Sequence, residues 1–130
     1  MYKLSNRSLG NLMMVDERLV TMCHRAIEVV NFAVICGHRD AKEQNDFYFR
    51  GMSKLEYPDS KHNKDPSQAI DAVPYPIDWE DQRRFYYLAG IFKAIAYDLG
   101  FQLRHGGDWD RDDIFKDQKF YDLPHFEIYE

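Results

Sequence analysis

The sequence predicts an α+β domain in which a small, mostly antiparallel sheet packs with two main helices. Two stretches repeat apolar residues every three or four positions, which is the period of a helix, and four short segments carry the apolar or alternating patterns of strands. These elements do not alternate as β-α-β units, which favours the α+β class. Since 130 residues suffice for one real core, we expect a single domain over residues 1–130.

The N-terminal part predicts a long helix and then a buried strand. The helix is expected from about Asn11 to Val30, with His24 at its surface. Its apolar residues recur at helical spacing: Leu12, Val15, Leu19, Met22, Cys23, Ala26, Ile27 and Val30. The run Phe32–Cys36 is apolar and β-branched, which indicates a buried strand that ends at Gly37.

A short helix and a long loop follow. Residues Asp40–Phe49 fit a helix with Phe47 and Phe49 turned inward, and Gly51 breaks it. Between Met52 and Pro66 turn-forming residues dominate, which indicates a loop. Long loops in compact domains are often functional, so this segment is a candidate part of a site.

The C-terminal half supplies the second main helix and the remaining strands. An apolar run at Ala69–Val73 predicts a strand, which the following prolines end. A helix is expected from about Trp79 to Leu99 with Asp78 as its N-cap. The last two strands are expected at Phe101–Arg104 and His125–Tyr129, where polar and apolar residues alternate.

Charge and cysteine content exclude several classes of function. The net charge of -5, with acidic residues dispersed along the chain, argues against nucleic-acid binding and favours a small or peptide-like partner. Cys23 and Cys36 are too few for a disulfide framework, so we expect reduced, partly buried thiols. No segment fits a signal peptide or a membrane span. We therefore expect synthesis in the cytoplasm without stable membrane insertion.

Two histidines and one acid are candidate ligands of a catalytic metal. Asp71 interrupts an apolar strand, where a carboxylate is costly unless it is paired, hydrogen-bonded or bound to a metal. His62 precedes it in the long loop, and His125 stands in the last strand. Two imidazoles and a carboxylate that leave a fourth position open form a typical catalytic zinc site.

Three further residues have candidate roles in amide hydrolysis at this site. Asp122 lies three residues before His125, across a turn with Pro124, where it could act as general base for a metal-activated water and return the proton to the leaving amine. Arg39 follows a strand and is either a surface charge or a cation for a substrate carboxylate or an oxyanion. Ser60 could hydrogen-bond the substrate. No His-Glu-x-x-His helix is present, so the pattern alone leaves the metal site one hypothesis among others.

Several ordered motifs resemble those of a known family of peptidases. The main ones are Ser60-Lys61-His62, Ala69-Ile70-Asp71 and Asp122-Leu123-Pro124-His125-Phe126-Glu127. Supporting ones are Gly37-His38-Arg39, Pro74-Tyr75-Pro76-Ile77-Asp78-Trp79 and Gly106-Gly107-Asp108-Trp109. Together they resemble the zinc D-alanyl-D-alanine carboxypeptidase and L-alanyl-D-glutamate peptidase family, most closely its short phage endolysin branch. The resemblance extends from about the first helix to the C-terminus.

The resemblance implies a fold shared with the hedgehog signalling domain and one zinc ion held by His62, Asp71 and His125. It also implies Asp122 as the catalytic carboxylate and Arg39 as the cation on the substrate side. The implied activity is peptidoglycan hydrolysis during host lysis, most readily at the L-alanyl-D-glutamate bond of the stem peptide. We expect a monomer that reaches peptidoglycan after release by a separate membrane-permeabilising protein.

Some alternatives stay open at this point. Nine residues separate His62 from Asp71, two more than the family's usual spacing, so Asp65 in the intervening turn is an alternative ligand. The other candidate functions are a D-alanyl-D-alanine carboxypeptidase or dipeptidase, a non-catalytic zinc-stabilised binding domain, and a virion-tail component with the same chemistry. A set of alternating acids also resembles the start of a loop for an accessory Ca²⁺, although a solvated acidic loop is the more ordinary interpretation: Asp108, Asp110 and Asp112.

Overall fold

A four-stranded antiparallel sheet forms the centre of the protein in a computed structural model that describes residues 1–130. The strands are β1 (Phe32–Cys36), β2 (Ala69–Pro74), β3 (Leu103–Gly106) and β4 (Asp122–Ile128). They lie in the order β1-β2-β4-β3, and every neighbouring pair is antiparallel. The predicted α+β class is confirmed.

Four α-helices and one short 3₁₀ turn accompany the sheet. The helices are α1 (Asn6–Asn11), α2 (Glu17–Ala26), α3 (Ala41–Phe49) and α4 (Gln82–Leu99), and the 3₁₀ turn covers Lys61–Asn63. No helix combines the length and the apolar character that a bilayer span would require. Cys23 and Cys36 are free thiols, as expected; Cys23 is buried.

The first predicted helix is wrong in its extent, because the chain bends between α1 and α2. Val15 forms an isolated bridge with Ser67, and the Asp16 amide donates to the Ser67 carbonyl at 2.9 Å. The Asp16 carboxylate then caps α2 by accepting from the Arg18 amide at 2.9 Å. Since Leu12 and Val15 still pack in the core, the apolar periodicity continues through the bend and conceals it.

Helix α3 also differs from the prediction on its inner face. Asp40 and Glu43 form a capping box that starts this helix. Phe49 is 81% exposed, so the prediction that it turns inward is wrong. Phe47 is half-buried beneath the Arg39 guanidinium, whose carbon lies 4.4 Å from the ring centroid. The fully buried residue of α3 is instead the polar Gln44.

The C-terminal elements form as predicted but with shifted ends. Helix α4 begins at Gln82 with Asp81 at the N-cap position, so the prediction of Asp78 as the N-cap is wrong. The Asp78 carboxylate instead caps a preceding turn by accepting from the Glu80 amide at 3.1 Å. The buried residues of α4 are Phe85, Leu88, Phe92 and Ala96. Strand β4 begins at Asp122 rather than at His125, so Asp122 and His125 share one strand instead of flanking a turn. The extended strand sets the direction in which the Asp122 side chain points.

The hydrophobic core lies between the sheet and helices α2 and α4. The Phe92 ring meets the Phe32 ring of β1 and the Phe126 ring of β4 edge to face, with centroids 5.0 and 4.8 Å apart. The other side of β2 and β4 carries the polar residues described next. Residues alternate between the two faces along a strand, which explains how His125 and Phe126 are neighbours in sequence but face different environments.

Candidate metal centre

The sheet brings the three predicted ligands into one group. Asp71 on β2 and His125 on β4 are cross-strand partners, and His62 approaches from the 3₁₀ turn. The Oδ1 atom of Asp71 lies 3.3 Å from His62 Nε2 and 3.6 Å from His125 Nδ1. All three donor atoms are within 4.8 Å of one another, which is close enough for one metal ion. Asp65, the alternative ligand, is exposed and lies outside this group.

Two atoms in this group are buried without a hydrogen-bond partner, His62 Nε2 and Asp71 Oδ1. Such an unpartnered polar atom costs about 1–3 kcal/mol, so native proteins rarely contain two in contact. One cation between them would satisfy both atoms. The donor set therefore fits a metal ion, and two imidazoles with one carboxylate are typical of catalytic zinc.

Each histidine is oriented by a hydrogen bond on its far ring nitrogen. His62 Nδ1 lies 2.7 Å from the Gly37 carbonyl, and His125 Nε2 lies 2.7 Å from Glu127 Oε1. When these nitrogens carry the protons, the lone pairs of His62 Nε2 and His125 Nδ1 face Asp71. A metal ion between them would require this tautomer of both rings.

Arg39 is buried and holds the far oxygen of Asp71. Its Nη2 donates to Asp71 Oδ2 at 3.0 Å, its Nη1 to Gln44 Oε1 at 3.1 Å, and its Nε to Cys36 Sγ at 3.3 Å. This ion pair leaves Oδ1 of Asp71 free for a cation. Burial alone would raise the pKa of Asp71, but the imidazoles of His62 and His125 outweigh it and hold that pKa well below its usual range.

Asp122 is half-buried on β4 beside the ligand group. Burial, followed by repulsion from Asp71, raises the pKa of its carboxyl above the usual value. A carboxylate tuned in this direction is better suited to take and return a proton near neutral pH. Gly106 permits the close approach of its strand, since a Cβ there would lie 2.0 Å from the Asp122 carbonyl oxygen.

Ser60 caps the 3₁₀ turn that carries His62. Its Oγ accepts from the His62 amide at 3.2 Å, while its own amide donates to Asn63 Oδ1 at 3.0 Å. The Arg39 amide donates to the His62 carbonyl at 2.9 Å, which ties the same turn to the end of β1. The loop that the sequence predicts as irregular is thus ordered where it presents the ligand.

A cleft of about 310 Å³ opens beside the ligand group. Five of the six predicted site residues line it: Arg39, Ser60, His62, Asp122 and His125. Asp71 lies beneath the cleft and is 9% exposed. Trp109, Phe120 and the segment 52–55 also line the cleft. This volume is in the range of small-molecule and peptide sites.

Glu127 is a residue of this site to which the sequence interpretation assigned no role. It accepts from His125, and it also accepts from Arg104 Nη2 at 2.8 Å. Burial would raise the pKa of Glu127, but the hydrogen bond from His125 and the charge of Arg104 lower it. The nearby carboxylates of Asp71 and Glu127 outweigh the effect of burial on His125 and raise its pKa to about 9. The two-residue spacing from His125 was a usable signal, because it places both side chains on one face of a strand.

The other three histidines are not part of the ligand group. His24 is exposed, as expected, and His38 is half-exposed. His105 is a core histidine whose Nε2 meets the Leu123 carbonyl at 2.6 Å and whose ring stacks on Phe126. Burial lowers the pKa of His105 to about 4, so it is neutral at physiological pH.

The structure also brings together the three acids of the acidic loop that was an alternative calcium site. Their carboxylate oxygens lie within 4.8 Å of one another, with Asp108 buried and the other two exposed. The Asp108 carboxylate accepts from the amides of Asp112 and Asp113 at 3.3 and 2.9 Å. Arg111 and Asp113 adopt left-handed backbone conformations that close the turn. These hydrogen bonds stabilise the turn of the loop.

Comparisons with known proteins agree with the resemblance in the sequence. The family model of phage L-alanyl-D-glutamate peptidase matches residues 1–129. The chain is 30% identical to the L-alanyl-D-glutamate peptidase of Escherichia phage T5, over 98% of each protein. Its fold matches the crystal structure of the Serratia marcescens L-Ala D-Glu endopeptidase ChiX with a TM-score of 0.77 and 26% identity, over 97% of this chain and 89% of that chain. The chain therefore belongs to the phage L-alanyl-D-glutamate peptidase family.

Proposed function

We propose that this chain is a zinc-dependent peptidoglycan hydrolase of the phage endolysin type that cleaves the L-alanyl-D-glutamate bond of the stem peptide. Family membership supports the peptidase activity. The contact between the unpartnered atoms His62 Nε2 and Asp71 Oδ1 is the observation that supports a metal. His62, Asp71 and His125 would hold the zinc. When bound, zinc would supply Lewis-acid activation of a water molecule and of the scissile carbonyl.

Asp122 is the proposed general base. It lines the cleft beside the ligand group, and its raised pKa favours both uptake and release of a proton. It takes a proton from the attacking water and later delivers that proton to the amino group of the leaving D-glutamate. The peptide C–N bond breaks as this nitrogen is protonated, and the water oxygen remains on the new L-alanine carboxylate.

Arg39 and Ser60 are proposed contacts of the substrate. Each terminal nitrogen of a guanidinium carries two hydrogens, and the bonds to Gln44 and Asp71 use one on each side. The remaining N–H groups of Arg39 are available to a developing oxyanion or a substrate carboxylate. The Ser60 hydroxyl is available as a donor, because its Oγ accepts from the His62 amide.

A metal analysis of ligand variants tests the site. We expect the wild-type chain to bind one zinc per molecule, and His62→Ala and His125→Ala to lose both zinc and lytic activity. His24→Ala is the matched control, because it removes an exposed histidine outside the group. Full zinc retention by both ligand variants would show that the metal site is elsewhere.

The bond that is cut separates the main proposal from a carboxypeptidase or dipeptidase. Mass spectrometry of digested muropeptides is expected to show free L-alanine carboxyl ends and new D-glutamate amino ends. Release of terminal D-alanine alone would instead identify a D-alanyl-D-alanine carboxypeptidase.

The third alternative, a zinc-stabilised domain without catalysis, is tested at Asp122. We expect Asp122→Asn to fold and bind zinc but to lose lytic activity, because the amide cannot take the proton. Wild-type lysis by this variant would remove Asp122 from the mechanism.

We further propose a single catalytic domain that works as a monomer.

Release through a membrane opened by a separate protein stays a prediction, as does an accessory Ca²⁺ at Asp108, Asp110 and Asp112. Sedimentation analysis tests the monomer, and detection of the chain in purified particles would favour the virion-tail alternative. Calcium titration tests the accessory ion; the absence of both binding heat and a change in Tm would contradict it.

A further inference from the structure

We propose that Lys54 binds the free carboxylate of the substrate's D-glutamate residue and thereby selects for an unmodified glutamate next to the scissile bond. The inference rests on the proposed function for the identity of the leaving group. Glutamate has two carboxyl groups, and a peptide chain continues through only one of them. The D-glutamate of the substrate therefore retains a negative charge close to the nitrogen that becomes the new amine.

A cation that the protein has not already neutralised is a favoured partner for a substrate carboxylate, because the cleft also contains several acids. Asp59, Asp122 and Glu127 line it, and Asp71 lies beneath. An anionic substrate that entered this surrounding without a counter-charge would lose its hydration and meet repulsion. A cation that is not already neutralised by the protein would offset both costs.

Of the four cationic residues that line the cleft, three are paired. Arg39 binds Asp71 at 3.0 Å, and Arg104 binds Glu127 at 2.8 Å. Lys61 Nζ lies 3.9 Å from Glu127 and donates to the Ile128 carbonyl. The fourth, Lys54, forms no ion pair, even with Asp59 of the same loop. Its ammonium group instead lies 4.8 Å from the centroid of the Phe120 ring.

The backbone on both sides of Lys54 is anchored by one buried side chain. Gln44 Nε2 donates to Ser53 Oγ at 2.9 Å and to the Leu55 carbonyl at 2.6 Å. Gln44 Oε1 accepts from Arg39 and, at 3.3 Å, from Asn63. The segment that carries Lys54 is therefore connected to the residues that fix Asp71 and the His62 turn. Such anchoring reduces the entropy lost when a lysine binds a ligand.

An aromatic wall connects Lys54 to the ligand group across the cleft. Beneath the ammonium group, Phe120 stacks on Trp109 with centroids 6.4 Å apart. Trp109 in turn lies against the His125 ring at 5.4 Å. Lys54 thus stands at the outer end of the wall whose inner end is a proposed metal ligand. In the proposed complex, the D-glutamate residue lies along this wall with its free carboxylate towards Lys54.

The test compares two stem peptides that differ only in the D-glutamate residue. In one peptide this residue carries its free carboxylate, and in the other that group is a carboxamide. We expect the wild-type chain to cleave the carboxylate peptide with a kcat/KM at least about fivefold higher, as for a charge-assisted hydrogen bond in a partly open site. Lys54→Met should bring the ratio near one, mainly through KM on the carboxylate peptide. Lys54→Arg should restore the preference. Lys42→Met, which removes an exposed lysine from α3 outside the cleft, should keep the wild-type ratio.

Two outcomes would overturn the proposal. They are equal cleavage of both peptides by the wild-type chain, and an unchanged preference in Lys54→Met, which would assign the carboxylate to Arg39. Zinc content and Tm should not change in Lys54→Met, because the residue contacts neither ligand nor core. Dissociation constants of both peptides for Asp122→Asn provide the same ratio without cleavage. Failure of the proposed function would appear separately, as no cleavage at the L-alanyl-D-glutamate bond of either peptide.

Discussion

Both histidines of the ligand group are oriented by a hydrogen bond on the far ring nitrogen, but the accepting groups differ. His62 lies on a short 3₁₀ turn within a loop, and its far ring nitrogen meets a backbone carbonyl, that of Gly37. His125 lies within a strand, and its far nitrogen meets a side-chain carboxylate, that of Glu127. The first support is neutral and belongs to the main chain, whereas the second is charged and can be removed by substitution.

This difference indicates which substitutions would disturb the orientation of each histidine. The His62 support depends on backbone position, so it responds to changes that displace the end of β1. The His125 support depends on one carboxylate, which in turn is held by Arg104. The orientation of His62 therefore depends on packing, whereas the orientation of His125 depends on electrostatics.

The largest effect is expected from Gly37→Ala on the His62 side. A Cβ at this position would lie 2.0 Å from the Asn11 carbonyl oxygen and 2.9 Å from Val15 Cγ2. Because a backbone atom blocks it, the end of β1 must move together with the carbonyl that holds His62. We expect the free energy of unfolding to fall by about 3 kcal/mol, at the upper end for overpacking, with weaker zinc binding.

Chemical denaturation and a zinc competition titration measure these two effects. Gly10→Ala is the matched control, because a Cβ there meets nothing within 4 Å and alanine favours helix α1. Wild-type stability and zinc affinity in Gly37→Ala would mean that the Gly37 carbonyl does not determine the position of His62.

A smaller effect on the metal site is expected from Glu127→Ala on the His125 side. Loss of the carboxylate frees the His125 ring and leaves Arg104 without its partner, so zinc affinity should fall by about 10- to 100-fold. Glu127→Gln retains an acceptor oxygen and should lose less. Competition with a chelator measures both, and Glu130→Ala at the exposed chain end is the control. Equal zinc affinity in all three variants would show that the Glu127 carboxylate does not influence metal binding by His125.

The smallest effect is expected from Ser60→Ala, which removes the cap of the His62 turn. Loss of an N-cap hydroxyl costs about 0.5–2 kcal/mol of folding free energy, so Tm should fall slightly. An accompanying rise in KM would support the predicted substrate contact, whereas an unchanged KM would limit Ser60 to capping. Ser5→Ala is matched in chemistry, because Ser5 caps α1 away from the cleft. If Tm falls in Ser5→Ala but not in Ser60→Ala, the Ser60 cap does not stabilise the fold.

Local patterns predicted most of the elements but not their ends. Local patterns predicted the apolar faces of α2 and α4 and the apolar runs of β1 and β2. These could be predicted because the period of burial matches the local backbone geometry. The bend at Val15 could not, since it depends on a bridge to Ser67 more than fifty residues further along the chain. The same limit misplaced Asp122 in a turn, because its strand conformation depends on pairing with Gly106.

By itself, the sequence determined the fold class and the candidate site residues, through apolar periodicity, through the carboxylate inside an apolar strand and through the order of the motifs. Only the tertiary structure decided what each side chain contacts. It paired Arg39 with Asp71, placed Gly37 and Glu127 behind the two histidines, buried Gln44 under the cleft and left Lys54 without a counter-charge. The physical reason is that an ion pair or hydrogen bond requires two groups to meet with the right geometry away from water. Segments distant in sequence meet in this way only when the sheet has formed.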